Sequence, residues 1–381
     1  MLDAKDIQIL LTLQNNPLAT ISDIAEQIKM SVSGTASRIE RLVDEKKAYH
    51  RVHADLNLEA LGLEIHDYFY EVNSKKHLAA LEKELSHNHP YLLARFRCYG
   101  RFSGLYMQFR IPENSIHHLE ILTDELVSNG LLNEYQHLKR IEDEKVVRIK
   151  SSLRSFNPTE NSWVFNWDKW RTDFKKVSTK QISSQRADEK ILSDLTELDI
   201  QLLGELTRDA RTENIDMARN LGIKIVKGTP QKISRRLQFL REKAIKDYRI
   251  FLNWEIFDLY QRMVIIGYCS KSQARKIRNY LMIEEMAEID ESVNFIQFPF
   301  GSLFFITDFG FYWFIRAPPA QTSEISNFLW EVCPNHHLFL LDYKFSKSYA
   351  LWPKTFDAEN KKWKTSQEFM VNSVLKNMKS L

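Results

Sequence analysis

The chain repeats itself once, which limits it to a two-copy architecture and excludes a solenoid of short repeats. Leu2-Asp3-Ala4-Lys5-Asp6-Ile7-Gln8-Ile9-Leu10 returns as Leu195-Thr196-Glu197-Leu198-Asp199-Ile200-Gln201-Leu202-Leu203. Leu56-Asn57-Leu58-Glu59 returns as Leu252-Asn253-Trp254-Glu255. The two matches lie 193 and 196 positions apart, so the register holds across some fifty residues. Each copy also closes on an aromatic segment, Ser162-Trp163-Val164-Phe165 in one and Ser348-Tyr349-Ala350-Leu351-Trp352 in the other. Between the copies, Lys175 to Asp194 is polar and Ser-rich, the composition of a mobile linker.

Each copy opens with three short helical patterns. Ile7, Leu10 and Leu11 share one helix face, and Asn15-Asn16-Pro17 stops that helix. Ile21, Ile24, Ala25 and Ile28 mark a second helix that Thr20 or Ser22 can cap. Ser31 can cap a third, whose inner face is Thr35 or Ala36, Ile39, Leu42 and Val43. A basic, β-prone ribbon follows, Ala48-Tyr49-His50-Arg51-Val52-His53. Two bracing helices, a third that enters the major groove and a ribbon are the parts of a winged helix-turn-helix. A small helical bundle serving only protein contacts has the same spacing.

The second copy favours DNA. Ile200 and Leu203, then Met217, Ala218 and Leu221, then Ile233, Leu237 and Leu240 mark its three helices. Lys224, Lys227, Lys232, Arg235, Arg236, Arg241, Lys243 and Lys246 stand against the single acid Glu242. Such clustering suits phosphate clamping with base-edge reading beside it. In the first copy Arg38 and Arg41 face Glu40 and Asp44, so that helix is nearly neutral. The DNA-binding set expected is Ser33, Ser37, Arg38, Arg41 and Arg51, with Lys227, Thr229, Gln231, Lys232, Arg235, Arg236, Lys246 and Arg249.

Behind each opening domain the pattern is strand, helix, two strands, helix, strand. In the first copy it runs from His66–Val72 to Glu134–Ile141, and in the second from Met263–Cys269 to Leu338–Phe345. That order is a ferredoxin-like βαββαβ sandwich. The fold class expected is therefore α+β, with two winged helix-turn-helix domains each followed by such a sandwich. The expected boundaries are 1–56 and 57–150, an aromatic tail and linker at 151–194, then 195–253 and 254–346, with a tail at 347–381.

Composition supports ordered cores, at 44% hydrophobic and 12% aromatic residues. A net charge of only +3 means that any nucleic-acid site comes from local clustering. Cys98, Cys269 and Cys333 form no C-x-x-C pair, which fits a reducing cytoplasm, the expected location. No charged-then-apolar leader and no run of eighteen apolar residues appears, so neither secretion nor a membrane span is expected. The histidine pairs His87/His89, His117-His118 and His336-His337 lack converging ligands, so no metal is expected. No P-loop, nucleophile elbow or dinucleotide fingerprint appears, so no cofactor and no enzyme activity are expected.

With these parts placed, the chain resembles the leucine-responsive regulatory protein/AsnC family of bacterial and archaeal transcriptional regulators, in tandem. The carrying residues are Leu2-Asp3-x-x-Asp6-x-x-Ile9-Leu10, Ile24-Ala25, Ser31 to Leu42, and Leu56-Asn57. In the second copy they are Asp199 to Leu203, Asp209-Ala210-Arg211-Thr212, Met217 to Gly222, and Ser234 to Leu237. The resemblance implies double-stranded DNA as partner, self-association through the sandwiches, and a small-molecule effector near a Gly-Asp-type turn. Here that turn reads Gly100-Arg101-Phe102-Ser103-Gly104 in one copy and Thr307-Asp308-Phe309-Gly310 in the other. Gly100, Ser103, Gly104 and Asp308 are thus its effector candidates; the first turn lacks the acid and the second the glycine pattern. Some relatives of this architecture are sirohaem decarboxylases, which gives an enzyme alternative. A third reading is an architectural DNA-binding protein with little sequence preference.

Overall fold

A computed structural model describes residues 2–183, 189–282 and 295–378. The opening helices are α1 (Ala4–Asn15), α2 (Ile21–Ile28) and α3 (Val32–Asp44). Asp3 and Asp6 cap α1 reciprocally, Thr20 and Asp23 do the same for α2, and the Ser31 hydroxyl accepts from Gly34 N at the head of α3. Strand β1 (Tyr49–Leu56) then leads into a sandwich of β2 (Leu63–Glu71), α4 (Lys75–Ala80), β3 (Leu92–Tyr99), β4 (Gly104–Pro112), α5 (Ile116–Ser128) and β5 (Glu134–Leu138). A short strand β6 (Val147–Ile149) and the tail helix α6 (Trp167–Phe174) close the copy.

The second copy repeats this order. It has α7 (Glu197–Arg208), α8 (Asn214–Asn220), α9 (Thr229–Lys243) and β7 (Ile245–Leu252). Its sandwich is β8 (Gln261–Tyr268), α10 (Lys271–Leu281), β9 (Gly301–Thr307), β10 (Gly310–Ala317), α11 (Thr322–Val332) and β11 (His336–Leu341). Strand β12 (Lys347–Ser348) and helix α12 (Ser373–Met378) end it. The chain is thus an α+β protein of two helix-turn-helix domains, each followed by a ferredoxin-like sandwich. Among the described residues no helix is long and apolar enough to cross a membrane.

Both sandwiches belong to one ten-stranded sheet, in the order β5-β2-β4-β3-β11-β8-β10-β9-β6, with β12 on β3. The copies join where Tyr99 and Cys98 pair with Leu340 and Leu341. At the far side, Ile141 N donates to Ile306 O, so the sheet curls back on itself. Strand alternation gives each half two faces. The outer faces carry Tyr68, Tyr70, Met107 and Trp313 in the large core that includes the helices. The inner faces meet in a second core of Phe69, Phe96, Phe102, Tyr106, Val264, Phe305, Tyr312 and Phe339. At its centre the Tyr106 and Tyr312 hydroxyls are 2.6 Å apart, and Tyr106 donates to the fully buried Asp67.

The basic ribbon finds its partner in the other copy: β1 pairs antiparallel with β7, its counterpart there, with Val52 opposite Ile250 and Asp55 opposite Asp247. A single strand has no partner within its own copy, and joining the two satisfies both backbones. The bonds repeat across the pair, with Asn57 N donating to Ala244 O and Asn253 N to Ala48 O.

The polar seam is also not free. Residues 175–183 lie against α10, where Asn279 donates to the Ser178 and Lys180 carbonyls, and the buried Arg278 pairs with Glu144. Residues 189–194 resume against the first copy, where Ile191 N donates to Ala60 O; 184–188 lie outside the described residues. The aromatic tails exchange places: Trp163 Nε1 donates to Phe257 O and Trp363 Nε1 to Leu61 O, each 2.7 Å and each in the opposite copy. The counterpart of Trp163 is therefore Trp363, not the Ser348–Trp352 segment. Phe156-Asn157 pairs with Ser162-Trp163 just as Phe356-Asp357 pairs with Lys362-Trp363. Trp163→Phe or Trp363→Phe leaves a buried carbonyl without its donor, so each should cost about 1–3 kcal/mol. Urea denaturation checks this; an unchanged midpoint in both variants would mean that the tails do not lock the copies.

Candidate nucleic-acid interface

The repeated Asp-Ile-Gln motif anchors the third helix to the first. Asp6 is fully buried and accepts from Arg38 at 2.8 Å and Lys46 at 2.5 Å, with Arg41 at 3.6 Å. Asp199 is equally buried and accepts from Arg236 at 2.6 and 2.8 Å. Both arginines project back from α3 and α9 onto the preceding helices. Arg38, Arg41 and Arg236 therefore brace the helix-turn-helix, whereas sequence reasoning set them among the DNA contacts. On a helical wheel an arginine beside the exposed face looks free, and the acid that claims it lies some 35 residues away.

The exposed positions on the third helices differ sharply between copies. The Arg38–Asp6 and Arg236–Asp199 contacts align α3 with α9, so Ser33, Gly34 and Ser37 match Gln231, Lys232 and Arg235. All but the half-buried Gly34 are exposed. Among the described residues no carboxylate lies within ion-pair distance of Lys227, Lys232, Arg235 or Lys246. Gln231 and Ser234 line a groove of about 490 Å³ with Glu213, Asn214, Ile215 and Pro230, between α8 and α9. Thr229 is otherwise engaged: its hydroxyl accepts from Val226 N and donates to Lys224 O, closing the turn before α9.

The ribbon residues are partly spent on each other. Arg249 pairs with Asp55 across the β1–β7 ladder at 2.9 Å, and Arg51 lies over the Phe251 ring at 5.5 Å. Arg211, in the second copy, donates to the Pro17 and Ala19 carbonyls of the first, which fixes the two domains relative to each other. No local sequence signal could have shown this contact, because its acceptors are backbone atoms 192 and 194 positions away.

The proposed effector turns have a structural reason for their glycines. A Cβ on Gly104 would lie 2.2 Å from Tyr70 O, and one on Gly310 would lie 2.1 Å from Gly267 O. The strands approach too closely there for any side chain. Ser103 O accepts from Val72 N, a Cβ on Gly100 would strike Leu338 O, and Asp308 is exposed. Arg101 donates to Tyr268 and His337, and the Tyr268 ring lies 5.3 Å from Phe309, so the two turns share one rim of the sheet.

Residues 2–46 match the winged helix-turn-helix DNA-binding family. No curated protein matches the chain. The siroheme decarboxylase NirDL, solved in co-complex with an iron-uroporphyrin III analogue, is similar over 99% of both chains, at 13% identity and a TM-score of 0.48. A transcriptional regulator from Neisseria meningitidis, solved with L-Met, is 22% identical over 36% of this chain and 88% of its own, at a TM-score of 0.29. An AsnC family regulator from Agrobacterium tumefaciens is 15% identical over 38% of this chain and 93% of its own, at 0.31. One expectation is overturned: no enzyme activity was expected, yet a solved structure similar over 99% of both chains is that of an enzyme.

The Asp6 anchor has a pH signature. Burial pushes its carboxyl up, but hydrogen bonds from Lys46, the Asp3 backbone and Arg38 outweigh this and hold it below the usual range. A carboxyl lowered in the folded state stabilises above its unfolded pKa, and the gain is lost as pH falls through the folded value. Asp6→Asn should therefore be less stable than wild type near neutrality, by about 1–3 kcal/mol. That gap should narrow as pH drops below the ordinary carboxylate range. Denaturation midpoints at several pH values test it, and a gap independent of pH would contradict the ion-pair account.

Proposed function

We propose that the chain is a sequence-specific DNA-binding transcriptional regulator of the Lrp/AsnC type, whose second copy grips DNA more strongly than its first. The observation that carries this is the pair of exposed, uncompensated cations Lys232 and Arg235. They stand on α9 where α3 has Gly34 and Ser37. Helix-turn-helix domains place the N-terminal part of this helix against base edges. Gln231 can pair bidentately with adenine and Arg235 with guanine, each worth about 1–3 kcal/mol of discrimination. Ser33 and Ser37 reach less far, so the first copy reads fewer bases. Lys227 and Lys246 serve as phosphate contacts. Arg51 and Arg249, tied to the ribbon, contribute less than a free arginine would. An effector, where one acts, is assigned to the rim formed by Gly100, Ser103, Gly104 and Asp308. The two unlike helices, fixed in one chain, should select an operator with dissimilar half-sites.

Lys232→Ala with Arg235→Ala should weaken binding and flatten its salt dependence by about 1–2 units of log K against log salt. Ser33→Ala with Ser37→Ala should do far less. Gln231→Ala should relax preference at one or two base positions in a selection from randomised DNA. Equal losses from the two double variants, or a motif unchanged by Gln231→Ala, would sink the proposal. Binding without any recoverable motif would instead mark an architectural protein.

A further inference from the structure

The sequence holds three cysteines with no close spacing, and the fold brings two of them together. Cys269 follows β8 and Cys333 follows α11, 64 positions later in the chain. Cys333 Sγ lies 3.7 Å from Tyr268 O, the carbonyl of the peptide bond that leads into Cys269, and 3.3 Å from Asn335 O. The Cys269 thiol donates a hydrogen bond to the Cys333 sulfur. Cys333 is buried and Cys269 half-buried, while their neighbours Ser270, Pro334 and Asn335 are exposed, so the pair lies just beneath the surface. Cys98 is fully buried and belongs to the separate inner core.

The first copy shows that packing alone does not require two thiols here. Val72 N donates to Ser103 O as Cys269 N donates to Phe309 O, which matches Val72 with Cys269. Tyr135 stands opposite Tyr70 as His336 stands opposite Gly267, and three residues earlier Leu132 matches Cys333. Aliphatic Val72 and Leu132 fill both positions in the first copy, and all four side chains belong to the same large core. An apolar pair is enough for that core, whereas a thiol pair adds reactivity. The hydrogen bond from Cys269 lowers the Cys333 thiol pKa and, with burial, raises that of Cys269. Thiolate character gathers on one sulfur, with the other beside it to displace an oxygen.

We propose that Cys269 and Cys333 form a modification site, a dithiol that a hydroperoxide converts reversibly to a disulfide. One sulfur attacks a peroxide oxygen; the O–O bond breaks, water leaves, and that cysteine becomes a sulfenic acid. The second sulfur attacks the first; the S–O bond breaks, a second water leaves, and the S–S bond forms. The two thiols give up two protons and two electrons, and hydrogen peroxide is reduced to two waters. A small dithiol reverses the link through a mixed disulfide. The link ties the end of β8 to the end of α11, where Tyr268 N already donates to Asn335 O. No residue of either helix-turn-helix takes part, so the site stands whatever those domains bind.

The test treats the full chain with hydrogen peroxide, quenches it with an alkylating reagent in urea and maps the cysteines by mass spectrometry. Wild type should fall from three alkylated cysteines to one, Cys98, with the peptides of Cys269 and Cys333 joined. Dithiothreitol should restore all three. Cys269→Val with Cys333→Leu, the residues of the first copy, should show no change on treatment. Cys98→Ala should link as wild type does. The folded chain should form the link about tenfold or more faster than the chain oxidised in urea, since the fold supplies the proximity. Three thiols left free, a link through Cys98 or to a second chain, or sulfinic acid in place of the link would overturn the site. Equal rates in the folded and unfolded chain would overturn it as well.

Discussion

Everything else in this molecule depends on the packing of two sheet faces against each other. Phe69, Phe96, Tyr106 and Phe305, Tyr312, Phe339 are fully or almost fully buried only because the other copy covers them. A copy standing alone would present that aromatic face to water, which soluble domains avoid. At roughly 25 cal/mol per Å² of apolar surface, covering several aromatic rings is worth many kcal/mol. The β1–β7 ladder, the Arg211 contacts and the exchanged tryptophan tails extend the same union outward. Two copies in one chain also need no concentration-dependent encounter, so the partner surface is always present.

Within that shared frame the copies have diverged where the frame does not need them alike. Asp6 with Arg38 and Asp199 with Arg236 are kept in parallel, since each holds a third helix to its first. The outward positions are free to differ, and there Gly34 and Ser37 stand against Lys232 and Arg235. The inner sheet faces show the same freedom, with Ile65 against Arg262 and Leu341 against Arg140. Positions that touch across the pseudo-two-fold, such as Tyr106 and Tyr312, remain alike.

Helical periodicity and local capping were readable in the sequence because they are short-range. Thr20 and Ser31 cap the helices as their positions suggest, and the two βαββαβ orders follow from alternation and spacing. The Asp-Ile-Gln repeat announced the duplication, but its purpose needed the crossing of the first and third helices. Arg38 and Arg236 looked unpaired for that reason, since the acids that hold them lie on another helix. The β propensity of the ribbon was readable too, but not that its partner strand lies in the other copy. Lys175 to Ser183 looked like a linker because its side chains are polar, yet its carbonyls are what Asn279 and Arg278 hold. The inner arginines were invisible because only the strand register and the facing sheet reveal which side of a strand is enclosed.

The central claim is that one chain presents two unequal recognition helices as a fixed pair. Hydroxyl-radical footprinting on a selected site, with stoichiometry from light scattering, tests it most directly. The account predicts one chain per site, protecting two major-groove segments about one helical turn apart. It also predicts that protection on the segment facing the second copy persists to higher salt than on the other. A single protected segment, or two segments that fade together and require two chains, would contradict it.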